Sequence, residues 1–148
     1  MRKKGFTILE VMITVGVIGV MSVIVIYQFR TMITQAKVNM AAMNIKQIES
    51  QLSLYIMSTP QDVFGYSDFG LDSLNDLKLK GYKIPANTGD FIYNIGRYVD
   101  FYELFVITRF NSQGFFALRL FKDGHEEWLV AGNHPWKPYL KVPNPTVV

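Results

Sequence analysis

The run Val11–Phe29 contains no Asp, Glu, Lys, Arg or His. As a helix rising about 1.5 Å per residue it would be about 28 Å long, close to the ~30 Å hydrocarbon core of a bilayer. A single carboxylate, Glu10, stands at the entrance of this run, and Arg2, Lys3 and Lys4 precede it. A carboxylate is costly in hydrocarbon, so one kept beside an apolar span marks a functional site by default. The basic cluster sets topology, because positive residues flanking a span stay on the cytoplasmic side.

Three readings of this segment compete. A secretory signal would have a short apolar region and a small-x-small cleavage site, but this run is long and no A-x-A-like site follows Phe29. A plain membrane anchor accounts for the length and the basic flank and leaves Glu10 unexplained. The third reading is a resemblance. Gly5-Phe6-Thr7-Ile8-Leu9-Glu10 resembles the leader-peptidase site of type IV pilins and type II secretion pseudopilins. That site has a basic leader ending in Gly, an aromatic or Met-like first mature residue, a small hydroxylated residue, two apolar residues and then Glu. Every position of that pattern matches.

The resemblance implies cleavage between Gly5 and Phe6, N-methylation of Phe6 by the same peptidase, and a role for Glu10 in assembly. Arg2, Lys3, Lys4 and Gly5 would serve peptidase recognition and topology. Implied partners are further copies of the chain in a helical filament, a prepilin peptidase that transfers methyl from S-adenosylmethionine, a platform membrane protein and a cytoplasmic assembly ATPase. The precursor would sit in a bacterial inner membrane as a single-pass protein, N-terminus cytoplasmic, before joining an extracellular pilus or a periplasmic pseudopilus. The residues supply physical reasons. Cleavage would free an amine on Phe6 that can pair with Glu10 of an adjacent copy, offsetting the cost of a lone acid in an apolar bundle. Glycine at the scissile bond lets a peptidase approach the backbone from all sides. Snorkelling of Glu10 to the headgroups is the plainer alternative.

Charge supports a targeting role for the N-terminus. Lys plus Arg number 15 against 12 Asp plus Glu, and Arg2, Lys3 and Lys4 supply the whole surplus. Without them the chain has 12 of each sign, so the basic balance does not indicate a nucleic-acid surface. The absence of cysteine rules out disulfides, zinc-thiolate sites and a thiol nucleophile.

From Arg30 to Met57 there is neither Gly nor Pro, and a stripe recurs at helical spacing: Ile33, Ala36, Met40, Met43, Gln47 or Ile48, Leu52 and Tyr55 or Ile56. Lys37, Asn39, Asn44, Lys46, Glu49 and Ser50 fill the other side. One helix is expected from about Phe6 to Met57, about 78 Å at 1.5 Å per residue, ended by Thr59-Pro60. Its first half is apolar all round and its second half on one face. Gly16 and Gly19 lie in the first half and read either as ordinary transmembrane glycines or as points of close helix packing. Members of the family often carry a kinking proline where Tyr27 stands.

Gln61–Gly70 reads as a loop, and the resemblance places here the family's variable segment. A short helix follows over Leu71–Leu79 with Asp72 as N-cap and Gly81 as stop. Strands are expected at Phe91–Ile95, Glu103–Phe110, Phe115–Phe121 and Glu127–Ala131. Asn111–Gly114 and Lys122–His125 would turn between them. Phe116, Leu118 and Leu120 belong against a core, with Arg119 on the side facing water or another subunit. Four prolines (Pro135, Pro138, Pro143 and Pro145) make Gly132–Val148 an extended segment without regular sheet or helix, pinned by Trp136 and Tyr139.

No metal site is expected. His125 and His134 read as solvated, and Asp62, Asp68, Asp72 and Asp76 lack calcium-loop spacing. The acidic C-terminal loop that binds calcium in major pseudopilins has no counterpart, since no Asp or Glu follows Glu127. No cofactor or catalytic constellation is indicated. The expected fold is α+β, a long N-terminal helix packed on a three- or four-stranded antiparallel sheet. Residues 1–5 would be a leader, 6–29 a transmembrane or filament-core helix, and 30–148 the amphipathic helix and head. The expected function is that of a structural subunit of a type IV pilus-like filament serving adhesion, motility or DNA uptake, not an enzyme. The alternatives are a pseudopilin of a secretion or competence system and a membrane-anchored binding protein that does not polymerise.

Overall fold

A computed structural model describes residues 5–87, 90–109 and 111–148. Helix α1 spans Ile8–Ser58 and ends where Thr59-Pro60 was expected to stop it. The chain divides into two compact units, residues 1–36 and residues 37–148. In the first unit no described side chain is buried. The part of α1 within the second unit buries Val38, Ala41, Ile45, Ile48, Leu52 and Tyr55, at steps of three and four that form one stripe. Ile48, Leu52 and Tyr55 belong to the stripe expected from sequence, whose earlier members are not buried. Met40 and Met43 lie outside the buried stripe, 54% and 72% exposed. The Ala/Met/Ile-rich stretch is apolar in two helical phases, and the β-branched phase, Val38–Ile45–Ile48, meets the sheet.

Among the described residues a sheet of five strands follows in the order β1-β2-β3-β4-β5: Phe91–Arg97, Phe101–Thr108, Asn111–Phe121, Glu126–Val130 and Thr146–Val147. The first four form an antiparallel meander. Its register carries apolar side chains across the inner face in two rows, Ile95–Leu104–Leu118–Trp128 and Tyr93–Val106–Phe116–Val130. These rows share one core with the buried stripe of α1. Asn44 Nδ2 donates to the Tyr93 hydroxyl at 2.9 Å, tying helix to sheet. The expected turn at Asn111–Gly114 is instead the start of β3, paired to β2 through register shifts at Ile107 and Thr108. Phe110, the expected end of the second strand, lies outside the described residues.

The C-terminal segment is not extended throughout: Lys137–Tyr139 forms a single 3-10 turn, with Pro138 inside it, and a fifth strand follows. Thr146–Val147 pairs parallel with β4, and the Val148 N–H donates to Val130 O at 3.0 Å. The prolines restrict pairing only as far as Pro145. Beyond it, β-branched residues with free N–H groups can add to an edge. Trp136 and Tyr139 pack against the core as expected, Trp136 with its ring 5.5 Å from that of Phe91.

Helix α2, Leu74–Leu79, is capped by Ser73 and not by Asp72. Ser73 Oγ accepts from the Asp76 N–H, and Asp76 accepts in return from the Ser73 N–H. Gly81 ends it at φ +91°, with Gly81 N–H donating to Lys78 O and Tyr82 N–H to Leu77 O. Those two bonds and the positive φ are the arrangement that favours glycine after a helix. The loop between α1 and α2 has no helix or strand but is anchored. Val63 and Phe64 are buried, and the fully buried Tyr102 hydroxyl donates to Val63 O and accepts from the Leu71 N–H.

Arg119 on the outer face pairs within the chain. It lies opposite Glu103 and Glu127 in the ladder and reaches both carboxylates, at 2.8 and 3.5 Å. Nor is His134 solvated. It is buried, with its ring 4.1 Å from that of Phe115, and its Nδ1 accepts from the Trp136 N–H. Burial holds its imidazole below the ordinary histidine value.

Two outcomes follow. Tyr102→Phe leaves the Val63 carbonyl and the Leu71 N–H buried without their shared partner. It should destabilise the head by about 1–3 kcal/mol in denaturant titrations, with amide exchange rising first around residues 63–71. Protonating His134 removes the lone pair that holds Trp136, and the unfolded chain takes up that proton more readily. The contribution of His134 is therefore complete above pH 6.5 and is lost progressively as pH falls below it. His134→Gln should flatten the melting temperature between pH 7 and pH 5.5, the interval flanking the histidine value. An unchanged slope would assign the dependence to other groups.

Candidate assembly site

At the start of α1 the chain enters through Gly5-Phe6-Thr7, which has no helical structure. The Thr7 carbonyl accepts the first helical bond, from Val11 N–H at 3.2 Å, so Thr7 occupies the N-cap. Glu10 is then at N3. The Glu10 N–H donates to Thr7 Oγ1 at 3.2 Å, while the Thr7 N–H and hydroxyl both donate to Glu10 Oε2, at 2.8 and 3.0 Å. This reciprocal pair is a capping box, legible in the sequence as Thr-x-x-Glu. Glu10, expected to act between copies, thus has a local role that its lone charge obscured. The carboxylate also complements the positive end of the helix dipole.

Both of these bonds fall on one oxygen. Among the described residues nothing donates to Glu10 Oε1, and the residue is exposed. The group therefore caps its own helix with one oxygen and presents the other outward. Phe6 is 88% exposed. A Cβ placed on Gly5 would meet no atom of the chain within 4 Å, and the same holds for Gly16 and Gly19. Packing within the chain therefore does not require glycine at any of the three. Arg2, Lys3 and Lys4 lie outside the described residues.

Three hydroxyls along this part of α1 bond back to the helix. The hydroxyls of Thr14, Ser22 and Thr31 donate to the carbonyls of Glu10, Ile18 and Tyr27, four residues back. The helix is long and apolar enough to cross a membrane, with none of its most apolar window buried. Among the described residues, no three or more His, Asp or Glu are grouped so as to hold a metal ion.

A family model described as the prokaryotic N-terminal methylation motif matches residues 1–26. Over 75 residues the chain is 33% identical to the type II secretion system core protein G of Pseudomonas aeruginosa, a match covering 49% of this chain and 50% of that relative. The chain thus spans about half the length of the curated relative it matches. No solved structure matches it. Neither match is to an enzyme family. The chain thus carries an N-terminal methylation motif at the start of a capped apolar helix and is similar, over about half its length, to a core protein of type II secretion.

Proposed function

We propose that the chain is a structural subunit that is held in a membrane as a precursor, trimmed between Gly5 and Phe6, methylated on Phe6, and polymerised through α1 into a type IV pilus-like filament. One observation carries this reading. Glu10 caps α1 with Oε2 and leaves Oε1 without a donor, beside a helix half whose described side chains have no cover in their own chain. Trimming would create the missing donor. The amine of Phe6 on an adjacent copy, axially offset, would pair with Oε1 while the cap remains intact. The ion pair then offsets the desolvation of the carboxylate in an apolar bundle, and only copies in register make it. The bare Cβ directions of Gly5, Gly16 and Gly19 fit the same reading, since a peptidase or a neighbouring helix would occupy that space. Before assembly the precursor would be a single-pass inner-membrane protein with its N-terminus cytoplasmic. A peptidase, a platform protein and an ATPase are its expected partners.

A second reading is favoured by the similarity to the secretion-system core protein: the polymer would be a short periplasmic pseudopilus. Electron microscopy of sheared surface material separates the two, since long filaments containing this chain would reject the pseudopilus.

Mass spectrometry of the assembled protein should find a chain beginning at N-methylated Phe6, and an intact Met1 would refute the processing step. Glu10→Gln keeps an oxygen for the Thr7 cap but removes the charge. It should leave helix content unchanged and reduce incorporation at least about tenfold, as expected for loss of a charge pair shielded from water. Normal incorporation of that variant would reduce Glu10 to a helix cap.

A further inference from the structure

Four cations gather at the end of the head where β1 begins and β2 ends, Phe91 opposite Thr108. Lys37, just ahead of the buried stripe of α1, pairs with Asp90 at 2.6 Å. Arg109 is held beside them by its backbone N–H, which donates to Asp90 O at 3.0 Å. The C-terminal strap, residues 132–145, returns to the same end. Its Trp136 ring lies 5.5 Å from that of Phe91, and Lys137 follows Trp136 in the chain. Lys141 lines a cleft together with Asn39, two residues past Lys37.

These cations are poorly matched. Asp90 is the only carboxylate that the contacts bring among them, and no Asp or Glu follows Glu127. The side chains of Arg109, Lys137 and Lys141 make no hydrogen bond or ion pair among the described residues. On the rest of the sheet and its covering helix the pattern is different. Lys46, Arg97, Arg119 and Lys122 have carboxylate partners in Glu126, Asp72, Glu103 and Asp62. Trp136 and Tyr139 are half-buried beside the unmatched group. Trp and Tyr next to Lys and Arg is the composition of a membrane–water interface.

Charge alone would suit any polyanion, and the chain itself narrows the choice. Helix α1 is long and apolar enough to cross a membrane, and only residues 30–36 link the run ending at Phe29 to Lys37. In a membrane-held chain that short tether raises the effective concentration of headgroups around these cations. We propose that the Lys37/Arg109/Lys137/Lys141 end of the head binds the phosphates of anionic phospholipids while the chain is held in a membrane. The cations would donate to phosphate oxygens, with Trp136 and Tyr139 at headgroup level. This contact rests on the membrane-held precursor proposed above and adds to it a second attachment, which a subunit must release before it leaves the bilayer.

The chain has no cysteine, so one introduced thiol carries one label. The full-length protein with a fluorophore on Asn133→Cys is reconstituted into vesicles of phosphatidylcholine, alone or mixed with phosphatidylglycerol, that contain a lipid with a nitroxide on its headgroup. Quenching should be stronger with phosphatidylglycerol and should weaken as salt is raised. A label on Asp100→Cys, past the other end of β1, should not respond to lipid charge. Lys137→Glu with Lys141→Glu should lower the quenched fraction at least about fivefold, the factor carried by one Lys or Arg beside an anionic surface. Lys137→Arg with Lys141→Arg should keep it. An inserted chain quenched equally in both vesicles, or unaffected by the charge reversal, would overturn this contact alone. So would duplex DNA that displaces the labelled end from phosphatidylglycerol at equal phosphate, since nucleic acid would then be the better partner. A full chain that carbonate washes off the vesicles would overturn the membrane-held precursor and this contact with it.

Discussion

Val38, Ala41, Ile45, Ile48, Leu52 and Tyr55 bury one stripe of α1 beneath the inner face of the sheet, and the head depends on that contact. The sheet alone would leave the rows from Ile95 to Trp128 and from Tyr93 to Val130 open to water. The helix alone would leave its stripe uncovered. Each covers the other, which is how a small head without disulfides closes a core. Upstream of Val38 no described residue of α1 is buried. The exposed apolar area there is far larger than a monomer in water keeps, and it continues along the side chains from Ile8 to Phe29. One helix is thus under two regimes, packed within its own chain at one end and, on the reading proposed above, dependent on an outside partner at the other.

The Thr7–Glu10 box explains why an acid is tolerated where that dependence begins. A helix start leaves unpaired N–H groups, and in lipid or an apolar bundle there is little water to satisfy them. Glu10 and Thr7 satisfy each other's N–H, and the hydroxyls of Thr14, Ser22 and Thr31 close back on carbonyls one turn away. Several polar groups at and beyond the start of α1 are thus closed within the helix, and among the described residues nothing donates to Oε1 of Glu10.

The sequence made the helix, its stop before Pro60, the meander and the motif at residues 5–10 legible, because each rests on local chemistry. What it hid had physical causes. The phase of the buried stripe was ambiguous because Met40 and Met43 are as apolar as Val38 and Ala41, and only the sheet decides between the two phases. The Ser73 cap was missed for Asp72 because both residues cap well and the reciprocal partner, Asp76, selects the serine three positions upstream. The Thr7–Glu10 box was readable from its spacing and was obscured by the more conspicuous charge. His134 read as solvated because much of its covering comes from Phe115, on β3 and distant in sequence, while Trp136 two residues on closes over it. Strand β5 was obscured by the prolines before it, although its pairing with Leu129 and Val130 needs only the residues after Pro145.

Apolar surface alone does not specify an assembly. Between helices in lipid there is no hydrophobic preference for one register over another, since the tails are as apolar as the side chains. Direction and offset must come from polar groups that are satisfied in one arrangement and stranded in the rest. Among the described residues the start of α1 carries such a group, Oε1 of Glu10. On the filament reading, a cation from an adjacent copy would satisfy it at one axial offset and leave it stranded at the others.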